Sequence, residues 1–171
     1  MTSDSTANST ELTTDRLVLR PWDLSEVAAV VDRTRLVDWA DDFPAEGDGV
    51  MASLFDDNPH WLGEHGHRLI IERDSGLVVG SIGLFWPPSE GLVEIGYGIV
   101  PSRRGRGYAP EATRALAAYA LTAPGVHTVT ATVELSNPAS VRVLEKAGFQ
   151  RWTTEEDVAR FRTTAQDPPQ Q

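Results

Sequence analysis

Short apolar runs and two kinds of spacing divide the chain into strands and helices. Leu17, Val18 and Leu19 predict a first strand. After Pro21, Asp23 followed three residues on by Glu26 gives a capping box, which predicts a helix through Val31. A second helix is expected from about Val50 to Phe55, before a Gly/His-rich loop. Leu69-Ile70-Ile71 and the run from Leu77 to Phe85 flank the turn Asp74-Ser75-Gly76, the pattern of an antiparallel hairpin. Val93, Ile95, Tyr97 and Ile99 alternate with Glu94, Gly96 and Gly98, as in a strand with one face on a core. Helical spacing then takes over. From Pro110 and Glu111 onward, Ala112, Ala115, Leu116, Tyr119 and Ala120 share a face until Pro124-Gly125. Val126 to Glu134 is a Thr/Val-rich strand, Asn137-Pro138 caps and starts another helix, and Gly148 ends it. Phe149 to Trp152 and Val158 to Phe161 predict a closing hairpin. Hairpin-linked strands with interspersed helices make this an α/β fold, a mixed sheet with helices packed on its faces.

At 171 residues the chain is long enough for one domain with its own core. The Ser/Thr-rich start reads as a disordered lead over residues 1–10 and the Pro/Gln-rich end as a tail over 165–171, leaving a domain over 11–164. The lead has no basic start followed by an apolar stretch, so it does not read as a signal peptide. No apolar run approaches the roughly 20 residues of a membrane span, so no membrane partner is expected. There is no cysteine, which excludes disulfides, thiolate metal sites and cysteine nucleophiles, and is compatible with the cytoplasm. The net charge of −10 opposes general nucleic-acid binding and suits a cationic or amine substrate, although solubility alone explains an acidic surface.

The exception to that acidity is Pro101-Ser102-Arg103-Arg104-Gly105-Arg106-Gly107-Tyr108-Ala109, between a strand and a helix. Glycines let the backbone turn tightly and approach a ligand, and the N–H groups and dipole of the following helix attract a phosphate. A glycine-rich turn carrying a solvated basic patch has the same composition. No lysine–hydroxyl pair follows the last glycine, which excludes a P-loop, and the full dinucleotide-binding glycine pattern is missing. His60, His65 and His67 lie near Glu64 without a helical ligand spacing, so no metal site is expected, and substrate contact is the alternative role. Trp39, Trp61 and Trp86 fit either an acceptor pocket or the core.

Arg104-Gly105-Arg106-Gly107-Tyr108-Ala109 resembles the acetyl-CoA motif of the GNAT acetyltransferase superfamily, Gln/Arg-x-x-Gly-x-Gly/Ala, in the same strand–loop–helix setting. Asp15-Arg16-Leu17-Val18-Leu19-Arg20-Pro21-Trp22, Glu94-Ile95-Gly96-Tyr97, Asn137-Pro138-Ala139-Ser140 and Leu144-Glu145-Lys146-Ala147-Gly148-Phe149 resemble its RimJ/RimL-like branch, in order. The resemblance implies a mixed, mostly antiparallel central sheet flanked by helices. It also implies acetyl-CoA as cosubstrate, and an amine-bearing acceptor, a small molecule or a peptide N-terminus. It leaves room for a homodimer.

By the same resemblance, backbone amides of Arg104, Gly105, Arg106, Gly107, Tyr108 and Ala109 hold the pyrophosphate. The strand ending at Ile99 and Val100 splays from its neighbour to pair with the pantetheine arm, and Asn137 and Ser140 line that arm from the other side. For Asn137, helix capping explains the residue equally well. An attacking amine must lose a proton and the departing thiolate must gain one or be stabilised. Glu94 is the base that the resemblance implies, acting directly or through water, with Glu134 in reserve; a solvent-facing strand glutamate is the bland alternative. The family often has a tyrosine, proposed as the acid, where this chain has Leu144. Ser140 is the remaining hydroxyl for that task. The departure at Leu144 keeps open a second reading, a catalytically silent acyl-CoA-binding or regulatory module.

Overall fold

The structure, a computed structural model, describes residues 11–164. The lead and tail expected over 1–10 and 165–171 lie outside the described residues. Among the described residues eight strands form one sheet: β1 (Leu12–Thr13), β2 (Leu17–Pro21), β3 (His67–Glu72), β4 (Val78–Leu84), β5 (Leu92–Ile99), β6 (Thr128–Glu134), β7 (Gln150–Glu155) and β8 (Val158–Thr164), in the spatial order β1-β2-β3-β4-β5-β6-β8-β7. Every pairing is antiparallel except β5 with β6. Between those two the chain crosses over through a helix, the connection a parallel pair requires. This is the mixed, mostly antiparallel α/β sheet that the sequence predicts.

Among the described residues four α-helices accompany it: α1 (Leu24–Asp32), α2 (Glu46–Leu54), α3 (Tyr108–Ala120) and α4 (Pro138–Lys146). The predicted capping box starts α1, with the Asp23 carboxylate accepting from Glu26 N at 2.8 Å and Glu26 Oε1 accepting from Asp23 N at 2.9 Å. Glu26 also receives both terminal nitrogens of Arg20, at 3.0 and 2.7 Å, which ties the helix start to β2. Helix α3 packs on β5, β4 and β2 and on α4, burying Ala112, Leu116 and Ala120 of its predicted stripe. Val93, Ile95 and Ile99 of β5 and Val78, Val79, Ile82 and Leu84 of β4 complete the centre of the core.

Three boundaries depart from expectation. Helix α2 begins at Glu46, four residues before Val50, because the Asp48 carboxylate accepts from Ala45 N and holds a first turn that Gly47 and Gly49 disfavour. Helix α3 begins at Tyr108, directly after the left-handed Gly107. Leu12–Thr13, part of the Ser/Thr-rich start, forms an edge strand on β2. The closing hairpin forms as predicted, but β8 inserts between β6 and β7. Among the described residues no helix is long and apolar enough to cross a membrane.

Candidate active site

Strand β5 pairs with β6 only at Leu92, Val93 and Glu94, opposite Thr128, Val129 and Thr130. Beyond Glu94 the two diverge: β5 stays on β4 as far as Ile99, while β6 continues on β8 as far as Glu134. The V between them is the splay that the sequence resemblance implies. It opens the β6-facing edge of β5, where Tyr97, Gly98 and Ile99 line a cavity of about 490 Å³. The opposite wall comes from the start of α4, including Asn137, Ala139 and Ser140.

The glycine-rich loop closes one end. Gly105 and Gly107 have φ of 81° and 84°, the left-handed region that L side chains rarely adopt, so the turn depends on glycine at both. Among the described residues no hydrogen-bond acceptor meets the N–H groups of Gly105, Arg106 or Gly107. The next two amides open α3, where the first turn has no intrahelical acceptor. Pro110 presents no N–H at all. A Cβ at Gly105 would meet only open space, so the backbone can be approached there. Arg103, Arg104, Arg142 and Lys146 line the same cavity, a cationic wall in a chain of net charge −10. Free amides, a helix N-terminus, close backbone access and four cations are the donor set a pyrophosphate needs, and the open strand edge suits an amide-bearing arm. Coenzyme A therefore fits this cavity.

The loop is braced from behind by Glu72 of β3. Its buried carboxylate accepts from the Tyr108 hydroxyl at 2.7 Å, from Ser75 Oγ at 2.6 Å, from Arg103 Nε at 3.3 Å and from Arg106 Nη1 at 3.2 Å. Burial alone would raise its pKa, but the bonds from Ser75, Tyr108 and Arg103 outweigh that and hold it below the usual carboxylate range. A second brace is Arg16, which donates to the Arg106 carbonyl at 2.7 Å and pairs with Glu111 on α3 at 2.7 Å.

A second cavity, of about 330 Å³, shares Tyr97, Gly98, Ile99 and Arg104 with the first. Its other lining includes Asp48 and Met51 of α2, His67, Ser81 and Gly96. Ser81 lies opposite Gly98 in the β4–β5 register, so Ser81, Gly96 and Gly98 present one face of the sheet, which α2 reaches through a buried hydrogen bond from Ser81 Oγ to Asp48. Burial raises the pKa of Asp48 against the opposing bonds from Ser81 and Ala45 N. Burial lowers that of His67 to about 4, so its imidazole is neutral.

Of the residues predicted for cofactor binding, Ile99, Arg104, Gly105, Gly107, Tyr108, Ala109, Asn137 and Ser140 line the first cavity together. Arg106 does not, its guanidinium being turned to Glu72, and neither does Val100, which is in the core with its N–H on the Val79 carbonyl. Asn137 caps α4, accepting from Ser140 N at 3.3 Å, and lines the cavity as well. Glu94 is exposed at the start of β5 and lines neither cavity; Glu134 is exposed at the end of β6. Leu144 is wholly buried, so the chain has core packing at the position where the sequence resemblance leads one to expect a tyrosine. Tyr97, quoted in the sequence motif without a role, lines both cavities; its hydroxyl donates to the Ser140 carbonyl at 3.4 Å, and burial pushes its pKa up.

The three tryptophans lie elsewhere. Trp39 packs edge-on against Phe43, Trp61 against Phe85, and Trp86 stacks on His65. His65 is sandwiched by Tyr119 on its other side, whereas His67 is buried among Phe55, Trp61 and Phe85, so the two imidazoles sit in different surroundings.

The profile of the acetyltransferase (GNAT) domain family matches residues 16–150. YjdG of Bacillus subtilis (strain 168), described as an uncharacterized N-acetyltransferase, is 38% identical over 82 residues, 47% of this chain and 49% of that protein. The chain thus spans about half the length of the curated relatives it matches. Among solved structures, an acetyltransferase from Agrobacterium tumefaciens str. C58 is 27% identical and superposes with a TM-score of 0.66 over 91% of this chain and 94% of that one. RimL, a ribosomal L7/L12 alpha-N-protein acetyltransferase solved with coenzyme A, shares the fold at 17% identity, with a TM-score of 0.63 over 90% and 97% of the two chains. With the family profile covering most of its length and the splayed sheet and glycine-rich loop in place, the chain belongs to the GNAT acetyltransferase family.

Proposed function

We propose that this protein is an acetyl-CoA-dependent N-acetyltransferase of the RimJ/RimL-like branch, one domain over 11–164, passing an acetyl group to a primary amine in the cytoplasm. The observation that carries the reading is the cavity of about 490 Å³ in the β5–β6 splay, closed by a loop whose amides at 105–107 have no acceptor among the described residues. The branch assignment rests on the ordered motifs that open with Asp15-Arg16-Leu17, Glu94-Ile95-Gly96-Tyr97, Asn137-Pro138-Ala139-Ser140 and Leu144-Glu145-Lys146; RimL shares the fold. An acceptor amine on a small molecule and one at a peptide N-terminus satisfy the same chemistry.

Acetyl-CoA supplies the acetyl group as a thioester. In this reading the loop amides from Gly105 to Ala109 hold the pyrophosphate, the Arg104 N–H being bonded to the Pro101 carbonyl instead, and the open edge of β5 at Tyr97 and Ile99 pairs with the pantetheine arm. Asn137 and Ser140 face the arm from α4. Glu94 lies on the same face of β5 as Gly96 and Gly98, so it takes the amine's proton through water rather than by direct contact. The Ser140 hydroxyl donates to the departing thiolate.

Calorimetric titration with coenzyme A tests the cradle. We expect binding in wild type and its loss in Gly107→Val, where a side chain is forced into the left-handed region beside the phosphate position. No binding by folded wild type would remove the assignment. The buried Leu144 favours one other reading, a silent acyl-CoA-binding module. That reading predicts the same titration but no thiol release with any amine.

A further inference from the structure

Asp48 is a buried carboxylate on a cavity wall, without a counter-charge among the described residues. It is 5% exposed, and its two oxygens accept only neutral donors, Ser81 Oγ and Ala45 N. It forms no ion pair among the described residues. The one cation lining the same cavity, Arg104, donates through Nε to the Ile99 carbonyl at 2.9 Å. An uncompensated buried charge is costly, and a protein that keeps one facing a cavity leaves a place for a cation to enter. A second polar group waits at the same wall: His67, 3% exposed and neutral, has a buried Nε2 with no hydrogen-bond partner among the described residues. The rest of the lining near Asp48 is small or apolar, namely Ala45, Gly47, Met51 and Ile82.

We propose that Asp48 is the acceptor-recognition residue, its carboxylate binding the ammonium of a primary amine carried on a short apolar stem, with His67 Nε2 as the second polar contact. This rests on the acetyltransferase reading only for the fate of the bound amine. Two features place the site for transfer. Ser81, which holds Asp48, faces Gly98 across the β4–β5 register, and the cavity shares Tyr97, Gly98, Ile99 and Arg104 with the coenzyme A cavity. An amine on Asp48 and a thioester along the edge of β5 would thus meet across the backbone of one strand. Capping of α2 explains one Asp48 oxygen, but neither the burial of the charge nor the open cavity beside it.

The test is direct titration of the full chain with phenethylamine, phenethyl alcohol and a pentapeptide with a free N-terminus, in wild type and Asp48→Asn, alongside coenzyme A. Asparagine keeps both hydrogen bonds, accepting from Ala45 N and donating to Ser81 Oγ, while removing the charge. We expect wild type to bind an ammonium ligand and not the isosteric alcohol, and Asp48→Asn to lose at least about tenfold in amine affinity with coenzyme A affinity unchanged. Response by phenethylamine points to a small-molecule acceptor, and response by the peptide alone to a polypeptide N-terminus; either supports Asp48. Equal binding of amine and alcohol by wild type overturns the proposal without any variant. So does undiminished amine binding by a folded Asp48→Asn, or no binding of either amine. Failure of coenzyme A alone to bind overturns the acetyltransferase reading, while the amine titration still decides the role of Asp48.

Discussion

The Tyr108 hydroxyl donates to the Glu72 carboxylate at 2.7 Å, linking the first residue of α3 to the end of β3, 36 positions earlier. Glu72 touches no part of the first cavity's lining surface, yet it receives Arg103 and Tyr108, which do line it. It is a positioning residue for the cradle. Replacing it by glutamine removes a charge-assisted network and leaves two arginines beside a neutral amide. Loss of one such bond costs about 1.5–3 kcal/mol, so we expect a fall of several degrees in Tm and, in protein still folded, weaker coenzyme A binding. A lower Tm with unchanged affinity would show that the network supports the fold alone. The sign with pH is set by its depressed pKa. The stabilisation is present above the ordinary carboxyl value of 4.5 and is lost as pH falls through the lower folded value.

His67 carries the opposite kind of pH dependence for an imidazole, because it is buried neutral. Its pKa falls from 6.5 to about 4, so the unfolded chain binds a proton that the folded one refuses. Stability is full above about pH 6.5 and drains away as pH falls toward 4, by roughly 3 kcal/mol over the whole window. Asp48, in the same cavity, pulls the other way because its raised pKa favours proton uptake in the folded state. Comparing His67→Gln with wild type isolates the histidine: denaturant melts at pH 7.5, 5.5 and 4.5 should show the variant losing less stability on acidification. Parallel losses in the two proteins would exclude the His67 account.

What could be read in the sequence was what local chemistry determines. The Asp23–Glu26 capping box, the hairpin turn at Asp74-Ser75-Gly76 and the glycines at 105 and 107 act within a few residues, and the structure has each where the pattern puts it. The second cavity depends on contacts that no window sees. Asp48 meets Ser81 33 positions away, and Ser81 meets Gly98 only through strand register. Asp48 also stands between two glycines that disguise its helix, so nothing nearby marks it. The placing of β8 between β6 and β7 is likewise a matter of long-range pairing, invisible to a hairpin signal. His67 and Tyr97 were visible as residues. That both line one cavity was not.

Glu94 supplies the last prediction, because its position divides two accounts of the chemistry. It stands just where β5 leaves β6, exposed, with its carbonyl accepting from Phe85 N at 2.9 Å and its side chain on the face that carries Gly96 and Gly98. If it takes the amine's proton through water, Glu94→Gln should lower turnover by about 10²–10⁴-fold while leaving coenzyme A affinity intact, since the loop amides are untouched. The low-pH limb that a general base imposes on the profile of kcat/KM should vanish as well. If it is only a surface strand residue, the change costs little and the profile keeps its shape. The measurement is kcat/KM against pH for both proteins with an amine shown to be acetylated, with coenzyme A titrated separately. Near-normal rates across the profile would remove Glu94 as the base. Asp48, the carboxylate already facing the acceptor cavity with a raised pKa, would then be the group to carry the proton.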